Sequence, residues 1–237
     1  MGYGPTVFGH RGSPRQEVEN TMASFAAAVA AGADGIECDL RRSADGIVVI
    51  HHDPDYRDGR AVHETVAGDR PDGVPLLAEV IAEYCGRVQV NLEIKNLPTE
   101  TAFDPEAAIV GLVAAEVRAA ESRGAEIEGV SISSFHPPTL DRVRRDLPGV
   151  PTGVLTFVVP TAADAITIAV AGGHEAIHPH VSQVDADLVS SAHRHGLVVN
   201  VWTVNDDDIV ARMVDVGVDG IITDVPGEVR RLVDAAG

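Results

Sequence analysis

Short apolar runs alternate with longer amphipathic or alanine-rich stretches along most of the 237-residue chain. Short runs rich in β-branched residues are typical of buried strands, and longer stretches with helical spacing are typical of helices. The predicted strands are 6–9, 36–40, 88–95, 130–133, 152–157, 176–178, 198–202 and 220–223. The predicted helices are 21–31, 77–85, 104–124, 138–145, 162–171, 186–195, 206–216 and 226–235.

Eight strands that are each followed by a helix indicate an α/β fold, and specifically a single (β/α)8 barrel, the TIM barrel. Glycines at predicted helix ends, such as Gly32 and Gly217, are typical of the left-handed residue that closes a helix. The sequence contains no internal repeat and no linker-like break. We therefore expect one domain over residues 1–237.

The segment 35–53 interrupts this alternation and predicts a β-hairpin excursion after the second strand. The Asp45-Gly46 pair is a turn signal, and the β-branched run 47–50 follows it. Because a right-handed crossover needs about a dozen residues, this short connection must return antiparallel to the preceding strand. The hairpin then brings the segment after residue 50 back towards the level of the second strand.

Acids and histidines converge in this hairpin. Glu37 and Asp39 stand two residues apart in a strand, so their side chains point to one face. The return strand delivers His51, His52 and Asp53 close to them. A carboxylate pair on a buried face is costly unless a positive charge lies between the two groups, and a hard divalent cation satisfies that need.

Two further segments carry weaker signals. Residues 54–75 are polar, without periodicity, and a segment of this length without structure is usually a functional loop or disordered. Glu19 and Asn20 precede the helix predicted over 21–31, and we expect them to cap it.

Composition excludes several partners. The chain has 36 acidic residues against 18 Lys and Arg, a formal net charge of −18, so neither nucleic acid nor an anionic membrane is an expected partner. The absence of a signal-peptide pattern and of an apolar run of about 18 residues predicts a cytoplasmic protein without membrane insertion. Cys38 and Cys85, with no CxxC pair, suggest neither a disulfide framework nor a zinc site.

Chemistry-bearing side chains gather at the carboxyl ends of the predicted strands, where catalytic residues of such barrels lie. They are His10 and Arg11 after the first strand, Glu37 and Asp39 on the second, Glu93 and Lys95 on the third, and Trp202 and Asn205 after the seventh, with His52 entering from the hairpin. Simpler alternatives stay open for some of them. Arg11 would also suit an ion pair with Glu19 or Asp224, and Trp202 would also plug the barrel end.

Seven blocks of sequence, in order from the first strand to the last, resemble the signatures of the glycerophosphodiester phosphodiesterase family. These blocks are His10-Arg11-Gly12, Glu19-Asn20-Thr21, Gly35-Ile36-Glu37-Cys38-Asp39, Val49-Ile50-His51-His52-Asp53, Leu92-Glu93-Ile94-Lys95, Trp202-Thr203-Val204-Asn205 and Asp219-Gly220-Ile221-Ile222-Thr223-Asp224. Three positions depart from the family pattern: Val18 replaces a proline, His51 adds a second histidine, and 54–75 lacks the usual arginine–threonine motif. His52 is preferred over His51 because it directly precedes Asp53.

The resemblance implies an enzyme of glycerol and lipid metabolism, a metal-dependent phosphoric diester hydrolase. It would cleave small-molecule glycerophosphodiesters to glycerol 3-phosphate and an alcohol such as choline or ethanolamine. The implied catalytic residues are His10 and His52, and the implied metal ligands are Glu37, Asp39 and Glu93. Arg11 and Lys95 would hold the phosphate, and Trp202 would stack on the substrate glycerol. All-oxygen ligands favour Mg²⁺ or Ca²⁺, with Mn²⁺ as a further candidate.

This chemistry suits the residue types. One histidine would deprotonate the glycerol 2-hydroxyl or a water, and the other would protonate the leaving alcohol. A related phosphodiesterase acting on lysophospholipids or glycerophosphoinositol is an alternative. From a different class, the alternatives are a non-hydrolytic phosphate-binding barrel and a lyase that forms a Schiff base on Lys95.

Overall fold

The computed structural model describes residues 4–157 and 161–236. In this part of the chain nine strands and eight α-helices follow one another. The strands are β1 (Thr6–Gly9), β2 (Gly35–Arg42), β3 (Val48–Ile50), β4 (Gln89–Ile94), β5 (Val130–Ser134), β6 (Thr152–Thr156), β7 (Ala176–Pro179), β8 (Val198–Val201) and β9 (Gly220–Thr223). The helices are α1 (Met22–Ala30), α2 (Leu77–Tyr84), α3 (Ala108–Ser122), α4 (Pro137–Asp146), α5 (Ala162–Gly172), α6 (Ala186–Arg194), α7 (Asp207–Val216) and α8 (Pro226–Ala236).

Eight of these strands form a closed parallel barrel. Their spatial order is β1-β9-β8-β7-β6-β5-β4-β2, and β1 also pairs with β2, which closes the sheet. A helix follows each barrel strand in the chain, with the hairpin placed between β2 and α2. The predicted TIM barrel is therefore confirmed. The prediction that residues 1–237 form a single domain stays a prediction.

The hairpin excursion is also confirmed. Strand β3 runs antiparallel to β2, with Leu40 opposite Ile50. The backbone N–H of His51 donates to the Asp39 carbonyl at 2.9 Å, so the chain after β3 returns to the level of the acidic pair on β2.

The core lies between the barrel strands and the surrounding helices. Along β2, the buried residues Ile36, Cys38 and Leu40 belong to the same apolar cluster as Phe25 of α1 and Leu77 of α2. Strand residues alternate between two faces, so the intervening acids of β2 point into the barrel instead. The apolar face of β2 thus fixes the direction of its acidic face.

Residues 54–75 are more ordered than the sequence predicted. They contain two 3₁₀ turns, Val62–Glu64 and Ala67–Asp69. The side chains of Tyr56, Val62 and Ala67 are buried in a small apolar cluster with Val49 of β3. These contacts follow no helical or strand period, which is why the apolar pattern did not reveal them.

The third helix of the barrel starts later than predicted. Helix α3 begins at Ala108 and not at Asp104, because Ala107 adopts a left-handed conformation with φ 48°. The Asp104 carboxylate caps this turn by accepting from the backbone N–H groups of Glu106 at 2.9 Å and Ala108 at 2.8 Å.

None of the helices in residues 4–157 and 161–236 combines the length and the hydropathy that a membrane crossing requires.

Candidate active site

Three buried carboxylates from two neighbouring strands meet inside the barrel. Register pairs Asp39 of β2 with Glu93 of β4, and Glu37 lies two residues before Asp39 on the same face. One oxygen from each of the three carboxylates lies within 4.8 Å of the others. Glu37, Asp39 and Glu93 are 3 %, 1 % and 8 % exposed, so three acids share a small volume with little access to water.

Each of the two carboxylates of β2 accepts a hydrogen bond from the protein through one of its oxygens. Glu37 Oε2 accepts from the backbone N–H of Arg11 at 2.9 Å. Asp39 Oδ2 accepts from Asn20 Nδ2 at 2.7 Å and lies 3.2 Å from Arg11 Nε. The opposite oxygen, Glu37 Oε1, has no hydrogen-bond partner among the described residues, although it is fully buried. A buried acceptor of this kind is a place for a cation.

The ammonium of Lys95 supplies the nearest positive charge. Lys95 Nζ lies 2.9 Å from Asp39 Oδ1 and forms an ion pair with Glu93. Burial alone would lower the pKa of Lys95, but the charges of Asp39 and Glu93 outweigh burial and raise it. Lys95 is therefore a fixed cation at the edge of the carboxylate cluster.

The acids of β2 differ in electrostatic state. Burial, and then the charge of Asp39, raise the pKa of Glu37 to about 8. Burial would also raise the pKa of Asp39, but the cations Lys95 and Arg11 hold it well below its usual range. Asp39 is thus stabilised as an anion, whereas at Glu37 the charges of His10 and Arg11 do not outweigh burial and the charge of Asp39.

His10 follows β1 and is fixed by the opposite end of the chain. Its Nδ1 lies 2.7 Å from Asp224 Oδ1, directly after β9. Asp224 Oδ2 in turn accepts from Asn205 Nδ2 at 2.8 Å. Burial alone would lower the pKa of His10, but the hydrogen bond to Asp224 and the charge of Glu37 raise it overall.

His52 lies beyond β3, with a side chain that is 33 % exposed. Its Nδ1 is 2.8 Å from Asp53 Oδ1. Burial, followed by the charge of Lys95, lowers the pKa of His52 despite the opposing effect of Asp39. His51 turns elsewhere: its Nε2 lies 3.2 Å from the carbonyl of Asp55, and its ring packs 5.0 Å from that of Tyr56.

The side chain of Arg11 lies in ion pairs with two acids. Its Nη1 donates to both carboxylate oxygens of Glu19 at 3.1 Å, and its Nε faces Asp39. Arg11 adopts φ 54°. Arg11 therefore makes the ion pair with Glu19 that the sequence offered as one alternative, and Asp224 pairs with His10 instead. The phosphate role of Arg11 stays a prediction.

The predicted capping role of Glu19 and Asn20 is wrong. The N-cap of α1 is Thr21, whose hydroxyl accepts from the backbone N–H of Ser24. Asn20 has φ 55°, and its amide is used on Asp39, as Glu19 is used on Arg11. Both residues therefore support the acidic cluster, and their place before an alanine-rich helix concealed this role.

Trp202 directly follows β8, and its indole Nε1 donates to the carbonyl of His178 at 2.8 Å. Its ring lies 5.5 Å from that of Phe135 and 5.2 Å from that of His180. The sequence analysis did not single out these neighbours. The signal was available, because each of them is the first residue after a barrel strand.

The chain is similar to known proteins over nearly its whole length. The model of the "Glycerophosphoryl diester phosphodiesterase family" matches residues 10–69 and 57–228 of the chain. A glycerophosphodiester phosphodiesterase of Bacillus altitudinis is 30% identical over 246 residues, which is 93% of this chain and 94% of that protein. One of Caldanaerobacter subterraneus is 30% identical over 254 residues, 98% of each.

A solved structure covers nearly the whole fold. An Oleispira antarctica phosphodiesterase, in complex with the product sn-glycerol-3-phosphate, superposes with a TM-score of 0.82. It is 25% identical in sequence, and the match covers 98% of each chain.

Proposed function

The chain belongs to the glycerophosphoryl diester phosphodiesterase family, and we propose that it hydrolyses glycerophosphodiesters at the carboxyl end of its barrel with a divalent cation and two histidines. The observation that carries this proposal is the cluster of three buried carboxylate oxygens within 4.8 Å of one another. The products would be glycerol 3-phosphate, the ligand of the Oleispira relative, and an alcohol.

The donor set fits a hard cation. Glu37, Asp39 and Glu93 offer oxygen only, which suits Mg²⁺, Ca²⁺ or Mn²⁺ better than zinc. Glu37 Oε1, which is buried and has no partner within residues 4–157 and 161–236, supports the same conclusion, because leaving such an acceptor unsatisfied is costly. When bound, the cation would polarise a phosphoryl oxygen and stabilise the charge that develops there.

The chain's own cations would orient the substrate phosphate. Arg11 and Lys95 both border the acidic cluster, where they place two positive charges next to the carboxylates. We assign them to the phosphate oxygens, and Trp202 to the apolar side of the glycerol. The raised pKa of Lys95 keeps its amine protonated, which disfavours the alternative of a Schiff-base lyase that needs a neutral amine.

The histidines would share the proton transfers. One imidazole would take the proton of the attacking group, and the other would donate a proton to the departing alcohol as its P–O bond breaks. If water attacks, glycerol 3-phosphate forms directly. If the glycerol 2-hydroxyl attacks, a cyclic phosphate forms first, and a water then opens it to glycerol 3-phosphate. A carboxylate lies within hydrogen-bond distance of Nδ1 in each case: Asp224 for His10 and Asp53 for His52. Such a partner orients the ring and directs Nε2 to the substrate.

The cation requirement is tested by measuring release of glycerol 3-phosphate from glycerophosphocholine after EDTA treatment, and again after adding Mg²⁺, Ca²⁺ or Mn²⁺. We expect the treated protein to be inactive and at least one cation to restore activity. Glu37→Gln should stay inactive at every cation concentration. Glu83→Gln, on α2 in an exposed ion pair with Arg87, should match the wild type. Full turnover in the EDTA-treated protein would disprove the cation proposal.

The histidine roles are tested with two leaving groups. His10→Ala and His52→Ala should each lower hydrolysis of glycerophosphocholine by about 10²- to 10⁴-fold. On the p-nitrophenyl ester of glycerol 3-phosphate, whose leaving group needs no proton, one of the two variants should recover and the other should not. If both variants lose the same factor on both substrates, the division into acid and base is wrong.

A further inference from the structure

Four consecutive barrel strands are each followed directly by an aromatic ring. Phe135 follows β5, Phe157 follows β6, His180 follows β7 and Trp202 follows β8. The chain contains only five Phe and one Trp, so half of these six residues lie at this one part of the rim. We call the four side chains the aromatic wall.

The rings of the aromatic wall contact one another. The centroid of Phe157 lies 4.8 Å from that of His180 and 6.0 Å from that of Trp202. His180 and Trp202 are 5.2 Å apart, and Trp202 and Phe135 are 5.5 Å apart. Most of these pairs are edge-to-face, with His180 nearly perpendicular to both Phe157 and Trp202. The four rings therefore form one continuous surface and not separate packing contacts.

This surface is open to solvent. Phe157 is 50% exposed, while Phe135, His180 and Trp202 are half-buried. A cluster that only sealed the barrel would bury its largest rings, as the core does with Phe25. An exposed group of aromatic rings at the functional end of a barrel is typical of a ligand-binding surface.

The aromatic wall begins beside the proposed phosphate site. Lys95 Nζ lies 5.9 Å from the ring centroid of Phe135 and 2.9 Å from Asp39 Oδ1. From Phe135 the rings continue through Trp202 to His180 and Phe157. These last two follow β7 and β6, which do not neighbour the carboxylate-bearing strands β2 and β4. A substituent on a phosphate held near Lys95 can therefore lie against the rings.

The chemistry of the surface favours a positive charge that carries methyl groups. Ring faces attract cations through their quadrupole. Burial lowers the pKa of His180, which keeps that ring uncharged at neutral pH and removes a source of repulsion. A quaternary ammonium has no N–H to satisfy, so rings alone suffice, whereas a polyol or a primary ammonium needs hydrogen-bond acceptors to replace water.

Resting on the proposed function, which assigns Trp202 to the glycerol, we propose that the rings of the aromatic wall beyond it, His180 and Phe157, bind the leaving alcohol and select glycerophosphodiesters whose alcohol carries a quaternary ammonium group. The wall is a specificity site, separate from the acidic cluster and the two histidines that carry out the hydrolysis. The field of the whole chain, with a net charge of −18, attracts the same kind of substituent.

The first test compares kcat/KM for glycerophosphocholine with that for its neutral isostere, the 3,3-dimethylbutyl ester, which has the same shape without the charge. We expect the charged ester to be preferred by about three- to thirtyfold, the range of a cation–π contact. Phe157→Leu keeps an apolar side chain and should lower this preference. Phe103→Leu, the same change at a ring that packs against His136, should leave it unchanged.

The second test measures binding without catalysis. Trp202 is the single tryptophan, so intrinsic fluorescence reports directly on the aromatic wall. Tetramethylammonium should change the emission with saturation, and Phe157→Leu should weaken this binding at least threefold. The neutral 3,3-dimethylbutanol should not compete at the same concentrations.

The outcomes separate this inference from the proposed function. Equal kcat/KM for the two esters, an unchanged preference in Phe157→Leu, or faster hydrolysis of glycerophosphoinositol or a lysophospholipid would overturn the inference while leaving the hydrolase intact. If no ester is hydrolysed but tetramethylammonium binds as expected, the proposed function fails and the wall remains a quaternary ammonium site.

Discussion

Arg41 Nε donates a hydrogen bond to the main-chain carbonyl of His52 at 2.8 Å. The rest of the same guanidinium makes two parallel hydrogen bonds to Glu100, at 2.8 and 2.9 Å. Arg41 is only 5% exposed. A buried and rigid fork of this kind fixes geometry, so Arg41 links the chain that carries His52 to the loop after β4.

We expect Arg41→Lys to lower kcat about ten- to hundredfold with little change in KM. The reason is that a lysine cannot hold Glu100 and the His52 carbonyl together, and small displacements of a catalytic group are costly. Steady-state kinetics on glycerophosphocholine measure kcat and KM separately. Arg142→Lys, at the surface ion pair with Asp146, is the matched control and should leave both constants unchanged. A rise in KM alone would show that Arg41 acts on substrate binding and not on His52.

Asp224 is expected to position His10. In Asp224→Asn an NH₂ group, which can only donate, replaces one carboxylate oxygen. This NH₂ group either faces the donor Asn205 Nδ2 or faces His10 Nδ1, where it can no longer accept a hydrogen bond from the ring. We expect kcat to fall about 10²-fold or more, by analogy with the loss of tautomer control in other His–Asp pairs. The pKa of His10 should also fall, because the hydrogen bond that raises it is lost while burial remains.

The pH dependence of kcat and an NMR titration of the His10 ring check this prediction. Asp219→Asn makes the same exchange in another His–Asp pair, where Asp219 Oδ2 lies 2.8 Å from His193 Nε2 outside the proposed site. This control should keep the wild-type kcat. An unchanged His10 pKa in Asp224→Asn would contradict a positioning role for Asp224.

Cation binding should also appear in thermal stability. A ligand that binds only the folded state at about 100 times its Kd adds about 2.7 kcal/mol, which is about 5–10 °C in Tm for a chain of this size. We expect Mg²⁺, Ca²⁺ or Mn²⁺ to raise the Tm of the wild type by this order, as measured by calorimetry.

Glu37→Gln should lose this rise in Tm. Its cation-free form should melt at or above the wild-type temperature, because the substitution removes a carboxyl whose charged form burial and the neighbouring Asp39 disfavour. Glu83→Gln should respond to the cation as the wild type does. A full Tm rise in Glu37→Gln would place the cation elsewhere.

The parts of the site that lie close in sequence could be predicted. Alternation on β2 put Glu37 and Asp39 on one face, and a turn too short for a crossover returned the chain beside Asp39. The repeat of strand and helix predicted the closed barrel, which makes β2 and β4 neighbours and brings Glu93 to Asp39.

The parts of the site that depend on tertiary contacts could not be predicted from the sequence. His10 and Asp224 are 214 residues apart, and only the register between β1 and β9 joins them. Asn20 was misread because its positive φ, which no local pattern reveals, turns the amide to Asp39. Of the aromatic wall, the sequence singled out Trp202 alone. No periodicity marks the other three rings, and their common place directly after a barrel strand appears only once the strand ends are known.

A buried histidine inside the barrel should make stability fall in mild acid. His178 of β7 is 2% exposed; its Nε2 lies 3.0 Å from Asn200 Nδ2. The His178 ring fits here because residue 153 is a glycine: a Cβ at that position would lie only 2.5 Å from Nε2. Burial lowers the pKa of His178 from 6.5 to about 4.

The sign of the pH effect follows from proton binding. Between pH 6.5 and about 4 the unfolded chain binds a proton at His178 that the folded chain does not, so this contribution to stability is complete above pH 6.5 and is lost as the pH falls. From pH 7 to pH 5 the loss is about 2 kcal/mol. Denaturant unfolding at both pH values measures it. The stability of His178→Gln should fall by about 2 kcal/mol less than that of the wild type between pH 7 and pH 5. His195→Gln, at an exposed residue directly after α6, is the matched control and should lose as much stability as the wild type. An NMR titration in which the His178 ring protonates near pH 6.5 in the folded protein would disprove the prediction, whatever the stability of the variants.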